Sequence, residues 1–164
     1  MATMKAVRIH DFGGPEAMTV DDLPVPLYGD GKNVRDWIHV ADHCTGIRRA
    51  MESGKAGEVY NFGGDAEREN IHVVKTICAL LDERTPLASG KKRESLIAHV
   101  PDRPGHDRRY AIDASKIKRD LGCRQRESFE SGLARTVDWY LEHQDWVGRV
   151  LDGSYRLERI GTAA

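Results

Sequence analysis

Apolar and polar positions alternate over Met4–Ile9 with the period of a short strand, and Gly13-Gly14-Pro15 follows as a turn. A second extended piece covers Met18 to Val20. Pro24 and Pro26 flank Val25 and hold the backbone in β or polyproline geometry, which makes this stretch a joint between two parts of the chain. Beyond it, Gly29 to Asn33 reads as a polar turn and Trp37 to Val40 as a short strand. Asp42 is placed to cap a helix running through Ile47 and Met51 to about Ser53, with Gly54 as its stop. Glu58 to Phe62 has the texture of a buried strand ending at Gly63-Gly64.

The helical period is clearest at Val74, Ile77, Cys78 and Leu81, spaced i, i+3, i+4 and i+7, with Asn70 as the candidate N-cap. Glu83 to Glu94 is polar and reads as an exposed loop, and Leu96 to Val100 as another strand. Asp102 to Arg109 is a loop of high charge density. Asp113 is placed to cap a short helix ending at Leu121-Gly122. A longer helix begins near Ser128 and carries Phe129, Gly132, Leu133, Thr136, Val137, Tyr140 and Leu141 on the helical repeat. The tail after Gly153 reads as a short helix or frayed coil. Strands and helices interleave, so the expected class is α/β.

Composition then excludes several functions. With 25 basic and 26 acidic residues in 164, the net charge of −1 lacks the Lys/Arg excess of a nucleic-acid-binding surface. No apolar run reaches the roughly 20 residues that cross a bilayer, and Met1 to His10 lacks the apolar stretch of a signal peptide. A cytoplasmic protein is expected. Cys44, Cys78 and Cys123 are scattered and odd in number, which fits buried or half-buried thiols and not a disulfide framework. The seven histidines show no metal-ligand spacing, so no metal site is expected.

No glycine trio turns a strand into a helix: Gly29-x-Gly31 leads into an extended stretch, and Gly63-Gly64 is followed by Asp65-Ala66-Glu67. Both pairs read as turn glycines with positive φ. Tyr28 and Lys32 stand four apart, but the two glycines between them make a shared helix face implausible, so they are not read as a catalytic pair. Four residues stand out as an anion-binding constellation: Arg35, Asn70, Arg103 and His106. Guanidinium forks suit diphosphates, and two arginines in separate loops near turn glycines would converge on one. The competing reading makes Arg35 and Arg103 surface ion-pair partners of Asp30, Asp36, Asp102 or Asp107.

Residues 26–43 (PLYGDGKNVRDWIHVADH), 57–64 (GEVYNFGG), 102–117 (DRPGHDRRYAIDASKI), 128–132 (SFESG) and 136–141 (TVDWYL) closely resemble, in collinear order, the C-terminal part of the dTDP-glucose 4,6-dehydratases. These are extended short-chain dehydrogenases that carry NAD on a Rossmann half. The resemblance implies a nucleotide-sugar-binding unit over 26–164, with Pro26, Tyr28, Arg35, Asn70, Asp102, Arg103, Pro104, Gly105 and His106 around a dTDP-sugar. It further implies that the NAD-binding Rossmann half, with its glycines and its Tyr/Lys pair, is missing. No catalytic residue and no NAD-binding residue is therefore assigned, and a truncated or chimeric dehydratase without turnover of its own is expected. The alternatives are a non-catalytic nucleotide-sugar binding module, or an interaction protein that meets a second copy or a partner chain through an exposed apolar face. Residues 4–26 resemble instead the N-terminus of a medium-chain quinone oxidoreductase, so 1–25 is expected to be a segment of separate origin. Cys123 stands after Leu121-Gly122 where the dehydratases usually carry Trp.

Overall fold

The computed structural model describes residues 4–9 and 18–151, with side chains over 24–150. The expected turn at Gly13-Gly14-Pro15 and the tail after Gly153 lie outside the described residues. Strands β1 (Met4–Ile9) and β2 (Met18–Leu23) pair antiparallel in a two-stranded sheet. Strand β3 (Val25–Tyr28) pairs parallel with β6 (Ile97–Val100), and β4 (Val34–Asp36) pairs antiparallel with β5 (Glu67–Glu69). Around these lie helices α1 (Val40–Ser53), α2 (Asn70–Arg84), α3 (Ser115–Leu121), α4 (Phe129–Glu142) and α5 (Gln144–Leu151). A 3-10 turn, Arg93–Leu96, leads into β6.

The core forms where α2 and α4 meet β5. Ala66, Val73 and Phe129 are buried together, with Ile77 and Leu133 packed against them. The edge of Trp37 meets the Phe129 ring at 6.5 Å, and Arg68 lies 5.2 Å over that ring. Arg84 ties α2 to α4 through an ion pair with Asp138. Helix α4 starts as its sequence predicts: Ser128 Oγ accepts from the Ser131 amide at 3.1 Å, and Ser131 Oγ accepts from the Ser128 amide at 3.0 Å. Helix α3 ends at Gly122 in the left-handed region, and the Asp113 carboxylate accepts from the Ser115 amide at 2.8 Å.

Several expectations need correction. The strand lies at Val34–Asp36 and not at Trp37 to Val40, because the Asp36 carboxylate takes the Gly64 and Ala66 amides and closes the ladder there. Val40 already begins α1. The cap of α1 is His39, whose Nδ1 accepts from the Ala41 amide, while the Asp42 carboxylate is drawn away to the Arg126 and Glu127 amides at 3.1 and 3.0 Å. Asn70 is the first helical residue of α2, not its cap; Glu69 occupies that place without a side-chain bond. Within α2 the buried residues are Val73 and Cys78, while Val74, Ile77 and Leu81 are half-buried.

Glu58 to Phe62 is not a strand. No described strand lies beside it, and Val59 is 76% exposed, its carbonyl accepting from Lys116. Phe62 instead packs its ring on Gly46 of α1, where any Cβ would collide, and on the His43 ring at 5.4 Å. The loop expected over Glu83 to Glu94 is shorter, since α2 extends to Arg84 and Arg93 returns to pair with Asp82 at 3.0 Å. Gly63 and Gly64 do not have positive φ; they are glycines because Asp36 and the Trp37 carbonyl press on them. Cys78 is buried and Cys123 half-buried, but Cys44 is exposed.

Candidate functional site

Parallel pairing brings the ends of β3 and β6 out on the same side, so the loops that follow them lie together. The Gly29 amide donates to the Val100 carbonyl at 2.9 Å, and His99 Nδ1 meets the Gly29 carbonyl at 2.8 Å. Gly29 and Gly31 adopt φ of 56° and 72°, the expected positive values, which turn the chain sharply enough to meet the 102–109 loop. Arg108 then clamps Asp30 through both guanidinium arms at 2.7 and 3.0 Å. The same fork holds the Asp30 carboxyl far below the usual carboxylate range.

Inside the loop, Asp102 accepts from the Arg103 amide at 2.9 Å and meets His106 Nδ1 at 2.6 Å. The His106 hydrogen bond lowers the Asp102 pKa. The His106 side chain is only 5% exposed and presents its ring edge-on to Tyr28. Arg103 lies 5.2 Å over the same Tyr28 ring. Tyr28 therefore joins three candidates in one cluster at the end of β3. Gly105 has the positive φ that lets the loop fold back. Pro26, Asp102 and Pro104 are exposed.

Arg35 approaches from β4. Its Nη2 donates to the Asp107 carbonyl at 3.0 Å and its guanidinium lies 4.3 Å over the Tyr110 ring. The Tyr110 hydroxyl donates to the Asp107 carboxylate, which raises the phenol pKa, and both Arg35 and Arg103 oppose that rise through space. Arg35 thus meets the loop that carries Arg103. Among the described residues neither pairs with a carboxylate: Asp30 belongs to Arg108, Asp36 to backbone amides, Asp102 to His106 and Asp107 to Tyr110. The surface ion-pair reading of Arg35 and Arg103 is therefore not what the structure has.

Asn70 stands at the start of α2 and reaches the site through its backbone, the amide donating to the Asn33 carbonyl at 3.0 Å. Asn33, not a predicted site residue, is the most deeply buried side chain among the described residues, 1% exposed. Its Nδ2 donates to the Asp107 carbonyl at 3.3 Å while its Oδ1 has no partner. Tyr110 was likewise missed. The only sequence signal for either was proximity to Arg35 and to the charged loop.

None of the candidate residues lines the cleft of about 650 Å³ between Trp37, Phe129 and Trp139. Among the described residues no cluster of His, Cys, Asp or Glu is built to hold a metal, and no helix is long and apolar enough to cross a membrane.

Residues 16–136 match the family model of GDP-mannose 4,6 dehydratase. The dTDP-glucose 4,6-dehydratase of Xanthomonas campestris pv. campestris is 64% identical over 138 residues, covering 84% of this chain and 39% of that protein. Among solved structures, the dTDP-glucose 4,6-dehydratase from Bacillus anthracis, in complex with NAD, superposes with a TM-score of 0.68 at 44% identity, over 78% of this chain and 38% of that one. DesIV, the dTDP-glucose 4,6-dehydratase from Streptomyces venezuelae with NAD and TYD bound, gives a TM-score of 0.64 at 45% identity, over 76% and 36% of the two chains. The chain thus spans about two fifths of the length of the relatives it matches. On the match of residues 16–136, it belongs to the GDP-mannose 4,6-dehydratase family.

Proposed function

We propose that this chain is the nucleotide-sugar-binding part of a dTDP-glucose 4,6-dehydratase and that it holds the diphosphate of a dTDP-sugar between Arg35 and Arg103. The observation that carries the reading is the pair of guanidiniums, each stacked on a tyrosine ring and neither neutralised by a described carboxylate. A dianionic diphosphate offers the planar acceptors that two such forks need. In this reading Tyr28, Pro26 and the Asp102 to His106 loop form a groove around the nucleotide, and Asn70 closes that groove from the start of α2.

The glycine pairs of this chain do not fit NAD, the dinucleotide bound by the solved relatives. Gly31 leads through Asn33 into β4 and Gly64 leads into β5, so neither pair presents a helix N-terminus to a pyrophosphate. No hydride step is assigned to this chain, and these 164 residues by themselves are expected to bind dTDP-glucose without converting it. Residues 1–25 are proposed as a separate segment of quinone-oxidoreductase-like origin and 26–164 as the binding unit; among the described strands β1 and β2 pair only with each other, which supports the division, while the family match reaching back to residue 16 counts against it for 16–25.

Calorimetric titration with dTDP tests the proposal. Each guanidinium contributes charged hydrogen bonds of about 1.5–3 kcal/mol, so Arg35→Ala and Arg103→Ala should each weaken binding by roughly tenfold or more with melting unchanged. Affinity unchanged from the parent in either variant, or turnover of dTDP-glucose with NAD by the pure chain, would overturn it. A second reading, pairing with another chain, would use the stripe of Val40, Ile47 and Met51 along α1, exposed at 67%, 42% and 83%. A concentration-dependent sedimentation coefficient, abolished by Met51→Glu, would support that reading.

A further inference from the structure

A second cationic site lies away from the groove. Helix α1, helix α3 and the segment after α3 enclose a cleft of about 270 Å³. Arg49 enters from α1, Lys118 from α3, and Arg124 and Arg126 from the segment that follows. Lys118 pairs with Asp65. The three arginines have no carboxylate partner among the described residues. The acid on the cleft wall, Asp42, is 9% exposed and is occupied by the Arg126 and Glu127 amides, which also fix where those residues sit. Phe62 and Ile117 contribute an apolar floor, and the Gln125 amide bonds the Gly63 carbonyl behind it.

Three uncommitted guanidiniums from two elements around a small, partly apolar cleft suit a dianion that carries a short carbon skeleton. We propose that this cleft binds a small phosphomonoester, its phosphate on Arg49, Arg124 and Arg126 and its carbon part against Phe62. The volume is too small for a dinucleotide, and none of the groove residues lines it. This site is independent of the diphosphate groove, and each stands or falls separately.

The test is an amide chemical-shift titration of the full chain with inorganic phosphate and with phenyl phosphate. Phenyl phosphate should shift Gly46, Gly63 and Gly122 and bind several-fold more tightly than phosphate, because its ring gains the Phe62 floor. Arg49→Gln with Arg124→Gln should weaken it by about tenfold or more, whereas Arg103→Ala should leave it unchanged. Cys123 also lines the cleft, so Cys123→Trp should fill it and abolish binding in a chain that melts no lower than the parent. Shifts confined to Gly29, Gly31 and Gly105, undiminished affinity in the double arginine variant, or no shift at millimolar ligand would each overturn the proposal.

Discussion

Asn33 shows how one buried polar residue supports the candidate site. Its amide supports the carbonyl of Asp107, and that same carbonyl receives Arg35, so Asn33 sets the height at which the guanidinium sits. Replacing it with Leu would leave the Asp107 carbonyl with Arg35 alone and would force a branched apolar group into a space that is 1% exposed. Loss of about 1–3 kcal/mol is expected for Asn33→Leu, read as a lower denaturant midpoint, together with weaker dTDP binding. An unchanged midpoint would mean that the loop does not rest on Asn33. Charge and spacing marked Arg35, Arg103 and His106 only as candidates, and the resemblance of 26–43 and 102–117 to the dehydratases is what singled them out. Asn33 and Tyr110 were not visible, since burial and ring stacking arise only once β4, the 29–33 turn and the 102–109 loop have come together.

Elements with local causes were legible and elements with distant causes were not. Helix α4 could be read from Ser128 onward because its cap and apolar repeat lie within the segment itself. Ser128→Ala removes one side of the capping box and should cost about 0.5–2 kcal/mol, measurable by chemical unfolding; Ser128→Asp should restore most of it. The parallel pairing of β3 with β6, some seventy residues apart, has no local signature, yet it places the two site loops side by side. Asp42 illustrates the same limit. Its position in the sequence suits a helix cap, but the amides of Arg126 and Glu127, brought near by the tertiary fold, take its carboxylate.

For the whole molecule, carboxylates tied to cations or amides set the response to acid. Asp30 is lowered mainly by Arg108, Asp102 by His106, Asp113 by the Ser115 amide, and Asp138 by Arg84; Glu127 and Glu130 are lowered by Ser131 and by a backbone amide first. A depressed folded pKa means that the unfolded chain binds protons first as pH falls. The stabilisation is fully present above the unfolded carboxylate values of about 4 and is lost below them, as pH falls through the folded values. The melting temperature should therefore hold from neutral pH to about 5 and decline steeply below about 4. Asp138→Asn, which removes the partner of Arg84 between α2 and α4, should flatten part of that decline; a parallel curve would contradict the assignment.

Thermal unfolding with and without excess dTDP, set against thymidine at equal concentration, tests the diphosphate groove most directly. A ligand that binds only the folded state adds RT ln(1 + [L]/Kd) to stability, about 2.7 kcal/mol at a hundredfold excess over Kd. The diphosphate reading predicts a rise in melting temperature with dTDP that is much smaller with thymidine and is lost in Arg103→Ala. A transition indifferent to dTDP, or moved equally by thymidine and dTDP, would contradict it.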